Sequence, residues 1–198
     1  MVHEINKLLT LPFRLKIASR DFHPTDHCSF ASQHQWKAAF THTHTIYNPE
    51  AKDDTIEVQT TTLWPDHCVQ NTEGCRLIPE LDVSRIDNII NKGEDRRVES
   101  YSAFGPPFRK PEVAMTGLRT ILKDHEIHEL YVCGLAYDYC VKSTAIDAAK
   151  MGFETYVIKD ATKAVDQDVQ ALHKTATELK ENDVLSVEIH EFFKIRKV

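Results

Sequence analysis

Leu130-Tyr131-Val132-Cys133-Gly134 decides the fold: a short apolar run closed by glycine reads as a strand buried on both faces. The period then changes. Over 139–151, Val141, Ala145, Ala148 and Ala149 fall on one helical face, and Gly152 stops the helix. A strand over 155–158, a helix over 169–180 and a strand over 184–189 continue the alternation. Upstream, Leu118, Ile121 and Leu122 place a helix over 111–127. Strands alternating with helices imply an α/β fold, a doubly wound parallel sheet with helices on both faces. Nearer the N-terminus, Ile5, Leu8 and Leu9 suggest the tail of a helix, 15–19 a strand, and 87–91 a strand ending at Lys92. Residues 21–65 are polar, rich in His and Thr, and without period. Such a segment inside a compact domain is expected to be functional or disordered. No repeat or linker interrupts 1–198, which is read as one domain.

The length, 198 residues, suffices for one domain with a sizeable core. Lys plus Arg is 24 against 30 Asp plus Glu, a net charge of −6 that argues against a nucleic-acid partner. A mean hydropathy of −0.40 and the lack of a long apolar run argue against a membrane span. Glu4, Asn6 and Lys7 interrupt the first residues, which do not read as a signal peptide. Five irregularly spaced cysteines suit a reducing compartment better than a disulfide framework, so the expected location is intracellular and cytoplasmic.

Cys140 lies just after a strand and at the first turn of the next helix, the edge where open α/β sheets bind ligands. Helix N–H groups and the dipole favour a thiolate there. Cys133, in mid-strand, is expected in the core. Asp21-Phe22-His23 follows a strand, and with period two its first and third side chains point the same way. With His67 as a third, remote ligand it would form a two-His-one-carboxylate metal site with open positions. Spacing alone leaves the ligand choice open, because His27, Cys28, His34, His42, His44, Cys68 and Cys75 also offer donors. Cys28 and Cys68 could join a closed structural zinc site instead. Lys92 alone would pass for a surface charge. Asp138 reads as a helix N-cap, with proton transfer to and from Cys140 as a secondary role.

These segments together resemble the isochorismatase-like cysteine hydrolases, specifically nicotinamidases of fungal type. The resemblance rests on Ser19-Arg20-Asp21-Phe22-His23-Pro24 with His27-Cys28-Ser29-Phe30-Ala31, on Leu63-Trp64-Pro65-Asp66-His67-Cys68-Val69, and on Lys92-Gly93. Glu99-Ser100-Tyr101-Ser102-Ala103-Phe104 and Gly134-Leu135-Ala136-Tyr137-Asp138-Tyr139-Cys140-Val141 complete it, in order, over nearly the whole chain. It implies Cys140 as nucleophile, Lys92 as the triad lysine, and Asp21, His23 and His67 as ligands of one divalent ion, zinc by preference. It further implies an oxyanion hole from the N–H groups of Ala136 and Cys140, and a cis Leu135–Ala136 bond. Trp64 and Tyr101 become candidates for the aromatic pocket wall. The implied reaction is hydrolysis of nicotinamide to nicotinate and ammonia through a thioester, in NAD salvage. The implied partner is a small molecule, and a homo-oligomer is compatible with the pattern.

Two alternatives accompany this reading: hydrolysis of another small carboxamide, and a catalytically dead homologue that binds metal or nicotinamide. The second has a specific motive. Family members begin with a strand that delivers a proton-carrying Asp ahead of the helix containing Ile5. Here Met1 falls within what resembles that helix. The expectation is therefore a domain truncated at its N-terminus, lacking its first strand and with little amidase activity as written.

Overall fold

A computed structural model describes residues 1–52 and 57–196, and the chain falls into two compact units. The first comprises Met1–Ile17, Ile78–Asn88 and Leu118–Val198, and the second Ala18–Leu77 and Ile89–Gly117.

In the first unit the elements are α1 (Val2–Leu9), α2 (Leu118–Asp124), β5 (Glu129–Leu135), α3 (Lys142–Lys150), β6 (Glu154–Lys163), α4 (Val169–Glu181), β7 (Leu185–Val187) and α5 (Ile189–Arg196). β5 pairs in parallel with β6, and β6 with β7. Strand alternation divides the core between two faces. Val132 and Val157 pack with Val141, Ala145 and Leu179, which brings α3 and α4 to one side. Tyr131, Cys133 and Ile158 pack with Leu8 and Phe192, which brings α1 and α5 to the other. Ala145 and Ala148 are fully buried, and their small side chains let α3 lie close to the sheet. Asp168 caps α4 by accepting hydrogen bonds from the N–H groups of Gln170 and Ala171. The α/β fold with a parallel sheet covered on both faces is the one read from 130–158.

Several boundaries differ from expectation. The helix placed over 111–127 is only Leu118–Asp124. Ala114 is left-handed at φ 47°, and Thr116 bonds back to Phe104 and Ala103 through its N–H and hydroxyl, so 111–117 follows a loop. The strand placed over 184–189 stops at Val187, because Ile189 already begins α5. The helix expected from Tyr139 opens instead as a π turn, Tyr137–Val141, before α3.

The second unit holds most of β1 (Ile17–Asp21) and β4 (Asn88–Lys92), which pair as a two-stranded sheet. It also holds an antiparallel ribbon, β2 (Thr43–Tyr47) with β3 (Val58–Thr62), in register from Thr43 opposite Thr62 to Tyr47 opposite Val58. This ribbon lies inside the stretch that showed no period. Its outward positions are Thr43, Thr45 and Tyr47 while Ile46 is buried, so apolar–polar alternation is hidden by threonine on the wet face. Ile46 packs with Val98, Phe108 and Val113 in a small core.

Candidate active site

The strand ends of the second unit carry most of the expected chemistry. Asp21 is the last residue of β1 and Lys92 the last of β4, and the Phe22 N–H bonds to the Lys92 carbonyl at 2.9 Å. His23 continues with a parallel bridge to Val69. Its N–H meets the Cys68 carbonyl at 3.0 Å, and its carbonyl takes the Gln70 N–H at 2.8 Å. That backbone link brings His67 to the two residues at the end of β1. One ligand atom from each of Asp21, His23 and His67 lies within 4.8 Å of the others, the trio expected from the resemblance.

Both imidazoles are oriented by backbone carbonyls. His23 Nδ1 lies 2.9 Å from the Gly93 oxygen and His67 Nδ1 2.8 Å from the Pro65 oxygen. A carbonyl accepts only an N–H, so each Nδ1 carries a proton, and in the neutral tautomer that fits this contact Nε2 has the lone pair. His23 Nε2 is 3.9 Å from Asp21 Oδ1. Metal-binding histidines have this arrangement, with one nitrogen tied to an outer acceptor and the other aimed at the ion. The donor set therefore fits a divalent metal.

Electrostatics agree with that fit. Burial alone would raise the Asp21 pKa, but the Lys92 ammonium and His23 outweigh it and hold the carboxyl below its usual range. Lys92 is 4% exposed, and its Nζ donates to Asp21 Oδ1 at 2.5 Å and to the Ser100 carbonyl at 2.8 Å. Burial lowers the His23 pKa despite the opposing pull of Glu99 and Asp21. A second cluster, His23 with His27 and Glu99, has ligand-like spacing but is closed. His27 spends Nδ1 on the Ser29 hydroxyl at 2.8 Å and Nε2 on the Val98 carbonyl at 3.1 Å. Burial, with His23 adjoining, lowers its pKa to about 3, which leaves a neutral ring packed 4.0 Å from that of His23.

Trp64 and Tyr101 are bonded to each other. Trp64 Nε1 donates to the Tyr101 hydroxyl at 3.0 Å, and that hydroxyl lies 2.7 Å from the Thr61 hydroxyl. Thr61 is 1% exposed and escaped notice in the sequence, where it is one of a run of threonines. Tyr101→Phe removes the acceptor of the indole N–H. It is expected to destabilise the protein by about 1–3 kcal/mol, measured by urea unfolding; an unchanged midpoint and slope would show that the hydroxyl chain fixes nothing.

Ala136 and Cys140 belong to the first unit. β5 ends at Leu135, the Leu135–Ala136 bond is cis, and Cys140 sits half-buried in the π turn ahead of α3. The Ala136 carbonyl accepts the N–H groups of both Tyr139 and Val141. Asp138 does not cap the helix. Its two oxygens accept the N–H groups of Val165 and Asp166, each at 2.9 Å, so its carboxylate ties down the chain after β6. With both oxygens held as acceptors, it is poorly placed to carry a proton. Cys133 is a core residue as expected, its thiol pushed up to about 11 by burial. Among the described residues no metal-capable group contains a cysteine, so the closed Cys28/Cys68 zinc site is not formed, and burial raises the Cys28 thiol to about 12. His34 and His44 pair with each other, and exposed His42 accepts the Ala38 N–H.

Residues 28–189 match the Isochorismatase domain. The chain is 45% identical over 149 residues to a nicotinamidase of Escherichia coli, covering 75% of this chain and 63% of that protein. The crystal structure of the yeast nicotinamidase bound to the inhibitor nicotinaldehyde superposes with a TM-score of 0.85 at 32% identity, covering 94% of this chain and 87% of that one. A pyrazinamidase of Pyrococcus horikoshii in complex with zinc superposes at 0.68 with 29% identity, covering 95% and 84%. The domain match, with the Asp21/His23/His67 trio and the cysteine after β5 in the order the motifs require, establishes that this chain belongs to the isochorismatase family.

Proposed function

We propose that the protein is an amidohydrolase converting nicotinamide to nicotinate and ammonia, with NAD salvage as its setting. The observation that carries this reading is the Asp21/His23/His67 trio beside the aromatic pair Trp64 and Tyr101. A pyridine carboxamide offers a flat ring for the aromatic wall and a ring nitrogen as metal ligand, which many other small carboxamides lack. Similarity to nicotinamidases of E. coli and yeast supports the same substrate.

A carboxamide is a poor electrophile with a poor leaving group, so the chemistry divides into acylation and deacylation. The Cys140 thiolate adds to the carboxamide carbon. Its placement at a helix start favours that ionisation. The N–H groups of Ala136 and Cys140 take the developing oxyanion. The proton lost from the Cys140 thiol passes through solvent to the nitrogen, so that collapse breaks the C–N bond and releases ammonia; water then cleaves the thioester, giving nicotinate and returning the thiol its proton. Lys92 fills the lysine position of the motif set and supplies fixed positive charge. Asp21, His23 and His67 would hold a divalent ion, zinc on the strength of the N/O donor set and the zinc-bound relative, and such an ion would supply Lewis acidity toward the ring nitrogen and toward water.

Ammonia release from nicotinamide, assayed with and without added zinc, tests the activity. Turnover of a non-pyridine carboxamide in preference to nicotinamide would overturn the substrate. The ligand set has its own test. Purified protein should hold about one divalent ion per chain, and His67→Ala should lose it. His42→Ala should not, since His42 lies outside the trio. Equal loss from the two variants in elemental analysis would contradict the assignment.

A further inference from the structure

Phe40 is an exposed aromatic residue in a backbone conformation that large side chains rarely adopt. Its φ is 65°, in the left-handed region, yet its ring is 60% exposed and fills no core. The surrounding chain holds it there. The Phe40 N–H bonds to the Leu63 carbonyl at 2.7 Å, the Leu63 N–H to the His42 carbonyl at 2.9 Å, and Lys37 Nζ to the Thr43 carbonyl at 2.9 Å. A strained conformation maintained by several bonds, with no apolar burial in return, points to a use for the side chain where it stands.

That use is indicated by its neighbour. The Phe40 ring meets the Trp64 indole in an edge-to-face contact, with centroids 5.6 Å apart and planes at 86°. Trp64 is otherwise fixed through its main chain, where its N–H bonds to the Ser29 carbonyl and its carbonyl takes the Ala31 N–H, both at 2.8 Å, and through Nε1 on Tyr101. Its indole also lies 6.3 Å from the ring of His67. The hydrogen bonds fix the position of the indole, while contact with Phe40 limits its tilt about the Nε1 anchor.

We infer that Phe40 is a positioning residue for the pocket: it holds the Trp64 indole at the angle that receives a flat heteroaromatic ring beside the metal trio. The inference rests on the proposed nicotinamide site, because it assigns Trp64 to the substrate wall. Phe40 makes no claim on the chemical step. Its loss should weaken ring binding and raise KM while kcat and metal content stay the same. An edge-to-face aromatic pair is worth about 0.5–1.5 kcal/mol, so the expected loss of affinity is about two- to tenfold.

The chain has two tryptophans, and Trp36 is 97% exposed, so Trp36→Phe leaves Trp64 as the sole indole reporter. In that background, with zinc bound, Phe40→Ala should shift Trp64 emission to the red and increase its quenching by acrylamide. By calorimetric titration it should weaken nicotinamide binding by the factor above, and Phe40→Tyr, which keeps the ring, should restore both. Unchanged emission and quenching in Phe40→Ala would overturn the positioning role. So would a change in emission with nicotinamide affinity unaltered, or an equal loss in Phe40→Tyr. If the Trp36→Phe parent itself binds no nicotinamide, the substrate reading fails and the inference falls with it. That outcome differs from failure of Phe40 alone, where the parent binds and Phe40→Ala binds equally well.

Discussion

Cys140→Ala is expected to reduce kcat/KM for nicotinamide by about 10³-fold or more, the scale on which a covalent nucleophile is lost, while leaving nicotinamide binding largely intact. The argument is positional. Cys133 and Cys28 are held as thiols by burial, at about 11 and about 12. Cys75 is buried, with its sulfur donating to the Thr72 carbonyl. Cys140 is half-buried between the end of β5 and the start of α3. That position, where a strand ends and a helix begins, is the edge at which open α/β sheets present reactive groups to ligands. Ammonia release measures the kinetic loss and calorimetric titration the retained binding. Cys140→Ser should also be impaired, because a serine hydroxyl at neutral pH is far less ionised than a thiol. Activity near wild type in Cys140→Ala would eliminate the thioester route.

The legible and illegible parts of this protein differ for physical reasons. The β5–α3–β6 segment could be read because its strands pack apolar residues on both faces, Val132 and Val157 on one and Tyr131, Cys133 and Ile158 on the other, and because α3 presents alanines to the sheet. The β2–β3 ribbon could not, since its wet face is threonine and its buried face holds one strong apolar residue, Ile46. The helix is shorter than the periodicity over 111–127 implies, because periodicity gives no warning of the left-handed residue at Ala114. At the site, spacing points to Asp21 and His23 but does not separate His67 from seven other donors. The motif resemblance made that choice, and the bridge between His23 and Val69 gives the physical reason for it. Thr61 and Phe40 carried no signal, because their importance lies in contacts to Tyr101 and Trp64 that only the folded chain makes.

Gly93→Ala is expected to weaken metal binding and to destabilise the protein, although the substitution adds one methyl group. Gly93 has φ 66°, which costs an L-residue about 1–2 kcal/mol. A Cβ built there would also lie 2.4 Å from Cε1 and 2.5 Å from Nδ1 of His23. The imidazole cannot easily yield. It is 1% exposed, packs 4.0 Å from the His27 ring and edge-on to Phe30, and its Nδ1–H is bonded to the carbonyl of Gly93 itself. Relief therefore requires the ring to swing or the backbone after β4 to move, and either displaces Nε2 from Asp21 and His67. Overpacking of this kind adds about 1–3 kcal/mol, so the total loss of stability should be about 2–5 kcal/mol. Disturbing a ligand's outer-shell support typically lowers metal affinity about 10–100-fold, and the same loss is expected here. Gly117 provides the control, since its Cβ would meet nothing within 4 Å and Gly117→Ala should alter neither quantity. Urea unfolding of the two variants and zinc titration against a competing chelator separate the cases. Wild-type zinc affinity in Gly93→Ala would show that His23 is not held in place by the Gly93 carbonyl, and the assignment of its Nε2 to the metal would fall.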